Sequence, residues 1–201
     1  MSARFAPHGF TMIEMLIVSV ILITIMSVVI ASYRTGQRSG ELEGSFQQTL
    51  NAITTARAKS LGGEIFTGGP FVNEFPAGGY GVHFDKGSNQ VTIYAADAPD
   101  TTLTSGAVVG GGFINFADIT VVDLCGSDQS VLTDIPCGSG WTSIGASLEV
   151  VFSQANEATA SYSIGSGARF VGGLLEHQKT GSQAYFYIAL PTGVVTGNFT
   201  L

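Results

Sequence analysis

The chain has 201 residues, a formal net charge of −7 and a pI near 4.7, and only 11% of its residues are charged. An acidic balance excludes a general electrostatic grip on nucleic-acid phosphates, which needs clustered Lys and Arg. Without its N-terminal apolar stretch, the chain keeps roughly 140–170 residues, enough for one compact core and too few for two domains. The composition therefore predicts one folded domain behind an apolar segment.

The first nine residues, MSARFAPHG, form a short basic leader that ends in Gly9. After it, the run from Met12 to Ala31 offers about 20 residues with Glu14 as the only charge, which is long enough for one membrane-spanning helix. A secretory signal would carry its small-residue cleavage site after the apolar core, whereas Gly9 stands before it. Cleavage after Gly9 would therefore leave the apolar helix on the mature protein, with Phe10 as its new N-terminus.

Glu14 is costly in this setting, because a charged side chain at the centre of a membrane helix costs about 2.5–3.5 kcal/mol on insertion scales. The α-amine of Phe10, in the same chain or in a neighbouring helix, would lie within reach of it. A buried carboxylate paired with an ammonium group is much less costly than one left alone. The alternative is an acid that lies near the membrane interface and extends into the headgroups.

Gly9, Phe10, Thr11 and Glu14, followed by an apolar helix, resemble the prepilin signature of type IV pilins and type II secretion pseudopilins. The resemblance covers about the first 25 residues. It implies that a membrane prepilin peptidase cuts between Gly9 and Phe10 and methylates the new amine of Phe10. It also implies that Glu14 docks each subunit against its neighbour during assembly.

The same resemblance implies a structural subunit of a type IV pilus-like filament, in a homo- or hetero-polymer with other pilins. The precursor would be a single-pass protein of the inner membrane with its head outside the cytoplasm, handled by the peptidase and by inner-membrane assembly machinery. After assembly it would lie in an extracellular or periplasmic filament. Two alternatives stay open: a pseudopilin of a type II secretion system, and a signal-anchored domain that binds a ligand or cell-wall glycan and never polymerises.

Apolar residues continue at helical spacing beyond the apolar segment, and the Gly62-Gly63 pair then predicts the end of the helix. These residues are Leu42, Phe46, Leu50, Ile53 and Leu61. The predicted organisation is a leader over 1–9, a transmembrane or filament-core helix over 10–31, an amphipathic continuation over 32–61 and a β-rich head over 62–201.

The head alternates short strand patterns with turn residues. Strands are predicted over 80–84, 90–95, 113–124, 148–152, 158–164, 185–190 and 194–201, with hairpin loops over 85–89 and 191–193. The fold class is therefore α+β, with a long N-terminal helix packed on an antiparallel β-sheet domain, as in pilins. Residues 76–97 also resemble the first head strands of FimT/GspH-like minor pilins.

Cys125 and Cys137 predict a disulfide in an exported head, worth about 3 kcal/mol in the loop-entropy model. Asp97 and Asp100 could ligate calcium, but they lack the regular spacing of oxygen ligands, so solvated turn acids are favoured. The chain has no GxSxG elbow, Walker loop or HExxH motif. We therefore expect no enzymatic activity and no cofactor.

Overall fold

The computed structural model describes residues 11–68, 71–98, 103, 107–129, 136–154, 158–161, 168–190 and 192–200. The chain forms two compact units, Met1–Arg38 and Ser39–Leu201. One helix, α1 (Met12–Leu61), is followed by twelve described strands. They are β1 (Phe66–Gly68), β2 (Phe71–Glu74), β3 (Gly79–Asp85), β4 (Gln90–Ala96), β5 (Ala107–Asn115), β6 (Ile119–Ser127), β7 (Thr142–Ser143), β8 (Ser147–Phe152), β9 (Ala158–Ser161), β10 (Phe170–His177), β11 (Gln183–Ala189) and β12 (Val194–Thr200).

Helix α1 is 50 residues long and ends where the sequence predicts. Gly63 adopts a left-handed backbone with φ of 61°, which glycine reaches without a Cβ penalty. Its N–H donates to the Ser60 carbonyl at 3.3 Å, and the Glu64 N–H donates to the Lys59 carbonyl at 3.1 Å. This pair of bonds is a Schellman motif, which satisfies carbonyls that the helix end would leave without donors.

The head contains two five-stranded antiparallel sheets and a two-stranded ribbon of β1 and β2. Sheet I has the order β12-β11-β10-β6-β7, and sheet II has the order β5-β4-β3-β8-β9. The α+β class with an antiparallel head is confirmed. The sequence had indicated a single sheet, whereas the strands divide between two.

One predicted strand, 113–124, is wrong as a single element, because the structure breaks it between Asn115 and Ile119. The Phe116 N–H donates to the Asn89 carbonyl at 2.8 Å, and this bond holds the chain where it leaves β5. β5 belongs to sheet II and β6 to sheet I. The apolar alternation runs through the break because both strands bury side chains in the same core.

Strand β10 lies at the centre of sheet I and was not predicted, because Gly172 and Gly173 interrupt its apolar pattern. A Cβ on Gly172 would lie 2.4 Å from the Phe186 carbonyl oxygen, and one on Gly173 would lie 2.9 Å from the Phe186 ring. These glycines therefore permit close packing between strands and do not mark a turn. β1, β2, β7 and residues 107–112 of β5 were also missed. Residues 162–164 of the predicted strand over 158–164 lie outside the described residues.

The head core forms between one face of α1 and the inner faces of both sheets. On the helix, Leu42, Phe46 and Ile53 are at most 3% exposed. Phe84 of sheet II and Phe186 of sheet I meet with ring centroids 4.9 Å apart. Burial of each such side chain contributes about 1.5–3 kcal/mol, so this part of the stripe predicted from the sequence is a main source of head stability. Leu50 is partly buried against the core, and the prediction is wrong for Leu61, which is 47% exposed at the helix end.

The predicted disulfide is present: Cys125 of β6 is bonded to Cys137, with their Cα atoms 5.3 Å apart. Cys125 is fully buried, and β6 pairs with β7 at Cys125 and Ser143. The bond therefore links the segment after β6 back to the interior of sheet I.

Candidate functional site

The predicted processing residues, Gly9 and Phe10, lie outside the described residues. Glu14, the predicted assembly residue, lies in the first turn of α1 and is exposed. The site that can be described is therefore the start of the helix and the apolar surface that follows it.

Glu14 is held by Thr11 in a reciprocal arrangement at the helix N-terminus. The Thr11 backbone N–H donates to Glu14 Oε2 at 2.9 Å, and the Thr11 hydroxyl donates to the same oxygen at 3.0 Å. In return, the Glu14 N–H donates to Thr11 Oγ1 at 3.3 Å. This is a capping box with Thr11 as N-cap and Glu14 at the third helical position.

The capping box is a feature that sequence analysis missed, although its signal, a threonine followed three residues later by a glutamate, stands in the chain. It satisfies two backbone donors that a helix start would otherwise leave unpaired. Within the described part of the chain, these bonds go to Oε2 of Glu14 and none goes to Oε1. The capped carboxylate therefore keeps one oxygen facing outward for a further donor.

The helix surface after Glu14 is apolar on all sides and exposed. Large apolar side chains from Met12 to Tyr33 have exposed fractions between 48% and 94%. Three hydroxyl groups in this stretch donate to the carbonyl four residues earlier: Ser19 to Met15, Thr24 to Val20 and Ser27 to Ile23. The hydroxyls are thus satisfied inside the helix, as an apolar environment requires.

Among the described residues, one helix, α1, is long and apolar enough to cross a membrane, and a signal sequence near an N-terminus has the same character. An apolar surface of this size does not stay in water, because soluble proteins rarely expose contiguous apolar patches above a few hundred Å². This surface has the character of a membrane anchor or of a signal sequence.

The sequence favours Asp97 and Asp100 as solvated turn acids, with calcium ligation as the lesser alternative. Asp97 is exposed, and Asp100 lies outside the described residues. No group of three or more His, Cys, Asp or Glu side chains arranged to hold a metal occurs in the described ranges. The interpretation of Asp97 and Asp100 as solvated turn acids therefore stays a prediction.

A charged cluster on the outer side of sheet II was not foreseen from the sequence. Its centre is His83, whose Nδ1 lies 2.9 Å from Glu149 Oε1 and whose Nε2 lies 3.0 Å from Asp85 Oδ2. Glu149 is 6% exposed and also accepts the Leu103 N–H at 3.0 Å. With a carboxylate at each ring nitrogen, the imidazolium is the protonation state that satisfies both contacts.

The pKa of His83 reflects this arrangement. Burial acts to lower the pKa, but the hydrogen bonds to Glu149 and Asp85, with the charges of these carboxylates, outweigh it and raise the pKa above 6.5. His83 on β3 stands opposite Glu149 on β8, so the two form a cross-strand pair, and Asp85 adds a second acid to it. We assign it a structural role in the head.

A second histidine joins the head sheet to the helix. His177 of β10 is fully buried, its Nδ1 accepts the Lys179 N–H at 3.2 Å, and its Nε2 lies 3.4 Å from Glu41 Oε2. Because Nδ1 acts as an acceptor, the ring proton is placed on Nε2 and points towards Glu41. This contact anchors sheet I to the part of α1 that belongs to the head.

No family model matches the chain, and neither a curated protein nor a solved structure matches it. The architecture itself, a long apolar N-terminal helix packed on antiparallel sheets, is consistent with that of pilins. An architecture alone does not establish a function, so the function is argued from the site.

Proposed function

We propose that this chain is a structural subunit of a type IV pilus-like filament. It is inserted in the inner membrane as a precursor, cleaved after Gly9, methylated on Phe10 and polymerised through its N-terminal helix. The observation that carries the proposal is the exposed apolar surface of α1 from Met15 to Tyr33, on a helix whose later turns belong to a folded head. Such a stretch can be covered first by lipid and then by the helices of other subunits.

The capping box supports a specific role for Glu14 in that assembly. Thr11 holds one carboxylate oxygen in place, so the side chain loses little further freedom when a partner binds. The free oxygen can accept the ammonium group of a neighbouring subunit's Phe10. An ion pair of this kind offsets the cost of moving Glu14 from the membrane surface into the apolar centre of a filament.

The proposal gives the chain no catalytic role of its own. Its partners are other pilin subunits, the prepilin peptidase and the inner-membrane assembly machinery, and its head lies outside the cytoplasm. The disulfide of the head is compatible with that location, because such bonds persist in oxidising compartments. A secretion pseudopilin would share the exposed helix and the capping box, so we treat it as a variant of this proposal.

The test is the N-terminus of the native protein, measured by intact mass and N-terminal sequencing. We expect a chain that begins at Phe10 with a methylated amine. A matched variant, Gly9→Val, places a larger side chain at the cleavage site and should leave the chain uncut but still membrane-bound. An intact Met1 in the wild type would select a plain membrane anchor, and a terminus beyond Ala31 would select a removed signal sequence.

A further inference from the structure

Charged side chains of α1 follow the exposed apolar stretch at Arg34, Arg38 and Glu43. Arg34 and Glu43 are exposed, and Arg38 is partly exposed. In the head, basic side chains pair with acids, as Lys86 does with Asp123 at 2.8 Å. Within the described part of the chain, none of these helix residues forms an ion pair or a side-chain hydrogen bond. Their charges are therefore available to groups outside the chain.

Arg38 and Glu43 point to different flanks of the helix, so they do not pair within one copy. Five positions along an α-helix correspond to a rotation of about 140°. Side chains that pair on one helix are three or four positions apart. A cation on one flank and an acid on the other suit a contact in which Arg38 of one copy meets Glu43 of another. Such a contact is heterologous, and its repetition builds a filament and not a closed dimer.

The flank of the helix that carries Glu43 has room for a neighbouring helix. Gly36 and Gly40 share this flank, because residues three and four positions apart lie on one face. No atom lies within 4 Å of the place that a Cβ would occupy on either glycine. Glycine destabilises a helix interior relative to alanine, and no contact inside the described ranges explains its use here. Small residues on a helix surface allow a second helix to approach closely.

The contact proposed between Phe10 and Glu14 sets the stagger of two neighbouring helices. The helices are parallel, because all copies enter the membrane in the same orientation. Glu14 accepts the Thr11 N–H at 2.9 Å, so its carboxylate lies beside Thr11, just beyond the level of residue 10. A neighbour whose Phe10 amine reaches this carboxylate is therefore displaced by roughly one to four residues, or about 2–6 Å along the helix.

The same displacement brings Arg38 of one copy close to Glu43 of the other. Arg38 then lies level with residues 39–42 of its neighbour. The side chain of Glu43 extends towards that level, because side chains on a helix tilt towards its N-terminus. The stagger that satisfies the first charged contact therefore also permits a second one further along the same helix.

We infer that Arg38 of one copy forms an ion pair with Glu43 of the next copy in the filament. This inference rests on the filament function proposed above, since the stagger comes from the contact between Phe10 and Glu14. The guanidinium group suits the role, because it donates two parallel hydrogen bonds to one carboxylate. A filament with a different stagger leaves both charges without a partner, so the pair favours one register of subunits over others.

Reversing each charge alone, and then both together, tests the pair in the full-length protein. Arg38→Glu and Glu43→Arg should each lower the amount of protein in sheared filaments about tenfold or more, because each places like charges together. The double variant, Arg38→Glu with Glu43→Arg, restores the attraction and should return this amount to within about threefold of the wild type. Glu74→Arg makes the same change in charge at an exposed position on β2 and should leave the amount unchanged.

The amount of each variant in the membrane fraction separates a failure to insert from a failure to assemble. Wild-type filaments that accept both single variants normally would overturn the contact between Arg38 and Glu43 and leave the filament function intact. A double variant as defective as the single variants would also overturn it, since the two charges would then act separately. A wild type that keeps Met1 and forms no filaments would overturn the filament function, and this contact with it.

Cross-linking gives a second measurement that does not depend on charge reversal. Arg38→Lys keeps the positive charge and supplies an amine, which a zero-length carbodiimide couples to a carboxylate in contact with it. Copies with Arg38→Lys and Glu43→Gln offer only the amine of this pair, whereas wild-type copies offer only the carboxylate. Mass spectrometry of mixed filaments should therefore find position 38 linked to Glu43 of another copy. Links from position 38 to other acids only, or no link, would contradict the contact.

Discussion

The two units of this chain use the same kind of element in opposite ways. In Met1–Arg38, the helix from Met15 to Tyr33 is apolar on every side, and its large side chains are mostly exposed. In Ser39–Leu201, the helix carries an apolar stripe only, and that stripe is buried in the head core. A helix that is apolar all round needs lipid or other helices, whereas an amphipathic helix needs only its own domain. The first unit therefore depends on contacts outside the chain, and the second is stabilised from within.

This contrast leads to a double expectation. Substitutions in the first unit should alter assembly and leave the stability of the head unchanged. Substitutions in the second unit should lower the stability of the head and leave membrane insertion unchanged.

The largest effect is expected at Glu14. A glutamine can cap the helix as a glutamate does, because its amide oxygen also accepts the Thr11 N–H. Glu14→Gln should therefore keep the helix start but lose the charge that attracts an ammonium group. We expect normal membrane insertion and almost no incorporation into filaments, measured by comparing membrane and sheared-filament fractions.

The matched control is Thr11→Ala, which removes the hydroxyl of the capping box and keeps the charge of Glu14. We expect a partial loss of incorporation, because the carboxylate is then less well oriented. Wild-type incorporation of Glu14→Gln would mean that capping is the whole role of this residue, and the docking mechanism would have to be abandoned.

The next effect compares the two halves of the helix by making the same substitution, Ile→Ala, once in each half. Ile53 is fully buried in the head core, whereas Ile21 is 52% exposed. Ile53→Ala should lower the free energy of unfolding of the head by about 2–5 kcal/mol, because it leaves a cavity. Ile21→Ala should leave that free energy within about 0.5 kcal/mol of the wild type, as for surface changes in general. Urea unfolding in detergent, followed by near-ultraviolet circular dichroism, measures both, and equal losses would erase the distinction between the units.

The disulfide should matter to the head and not to the helix. The double variant Cys125→Ala with Cys137→Ala should lower the free energy of unfolding by about 3 kcal/mol, since the unfolded chain gains the entropy of an open loop. Membrane insertion should not change. The same unfolding experiment, with and without a reducing agent, checks the value, because reduction of the wild type should reproduce the variant.

The two units also differed in how much could be predicted from the sequence. The apolar helix and its end at Gly62-Gly63 could be predicted because they depend on local patterns: a long apolar run, a stripe at helical spacing and a glycine stop. The disulfide was predicted from the two cysteines and from the expectation that the head is exported. The capping box could also have been predicted, because Thr11 and Glu14 carry its standard spacing.

The division of the head into two sheets could not be predicted in this way. Whether Phe116 ends a strand depends on Asn89, which is distant in sequence and accepts its N–H. Strand β10 was not predicted, and the reason for a glycine at position 172 is the close approach of Phe186 on the next strand. The His83 cluster likewise depends on the pairing of β3 with β8. Such features follow from long-range contacts, which a single sequence does not contain as a local signal.

The smallest effect is a pH dependence confined to the head. The folded-state pKa of His83 is raised above its ordinary value of 6.5. The protonated ring therefore stabilises the head fully below pH 6.5, and this stabilisation is lost as the pH rises through the raised pKa. The free energy of unfolding of the wild type should therefore fall over that range relative to Glu149→Gln. This variant keeps an oxygen that can accept from Leu103 and His83 but lacks the charge that favours the imidazolium. If the difference in free energy of unfolding between the two proteins stayed constant or grew with rising pH, His83 would not be held in its charged form. Incorporation into filaments should not follow the pH dependence of either protein's stability.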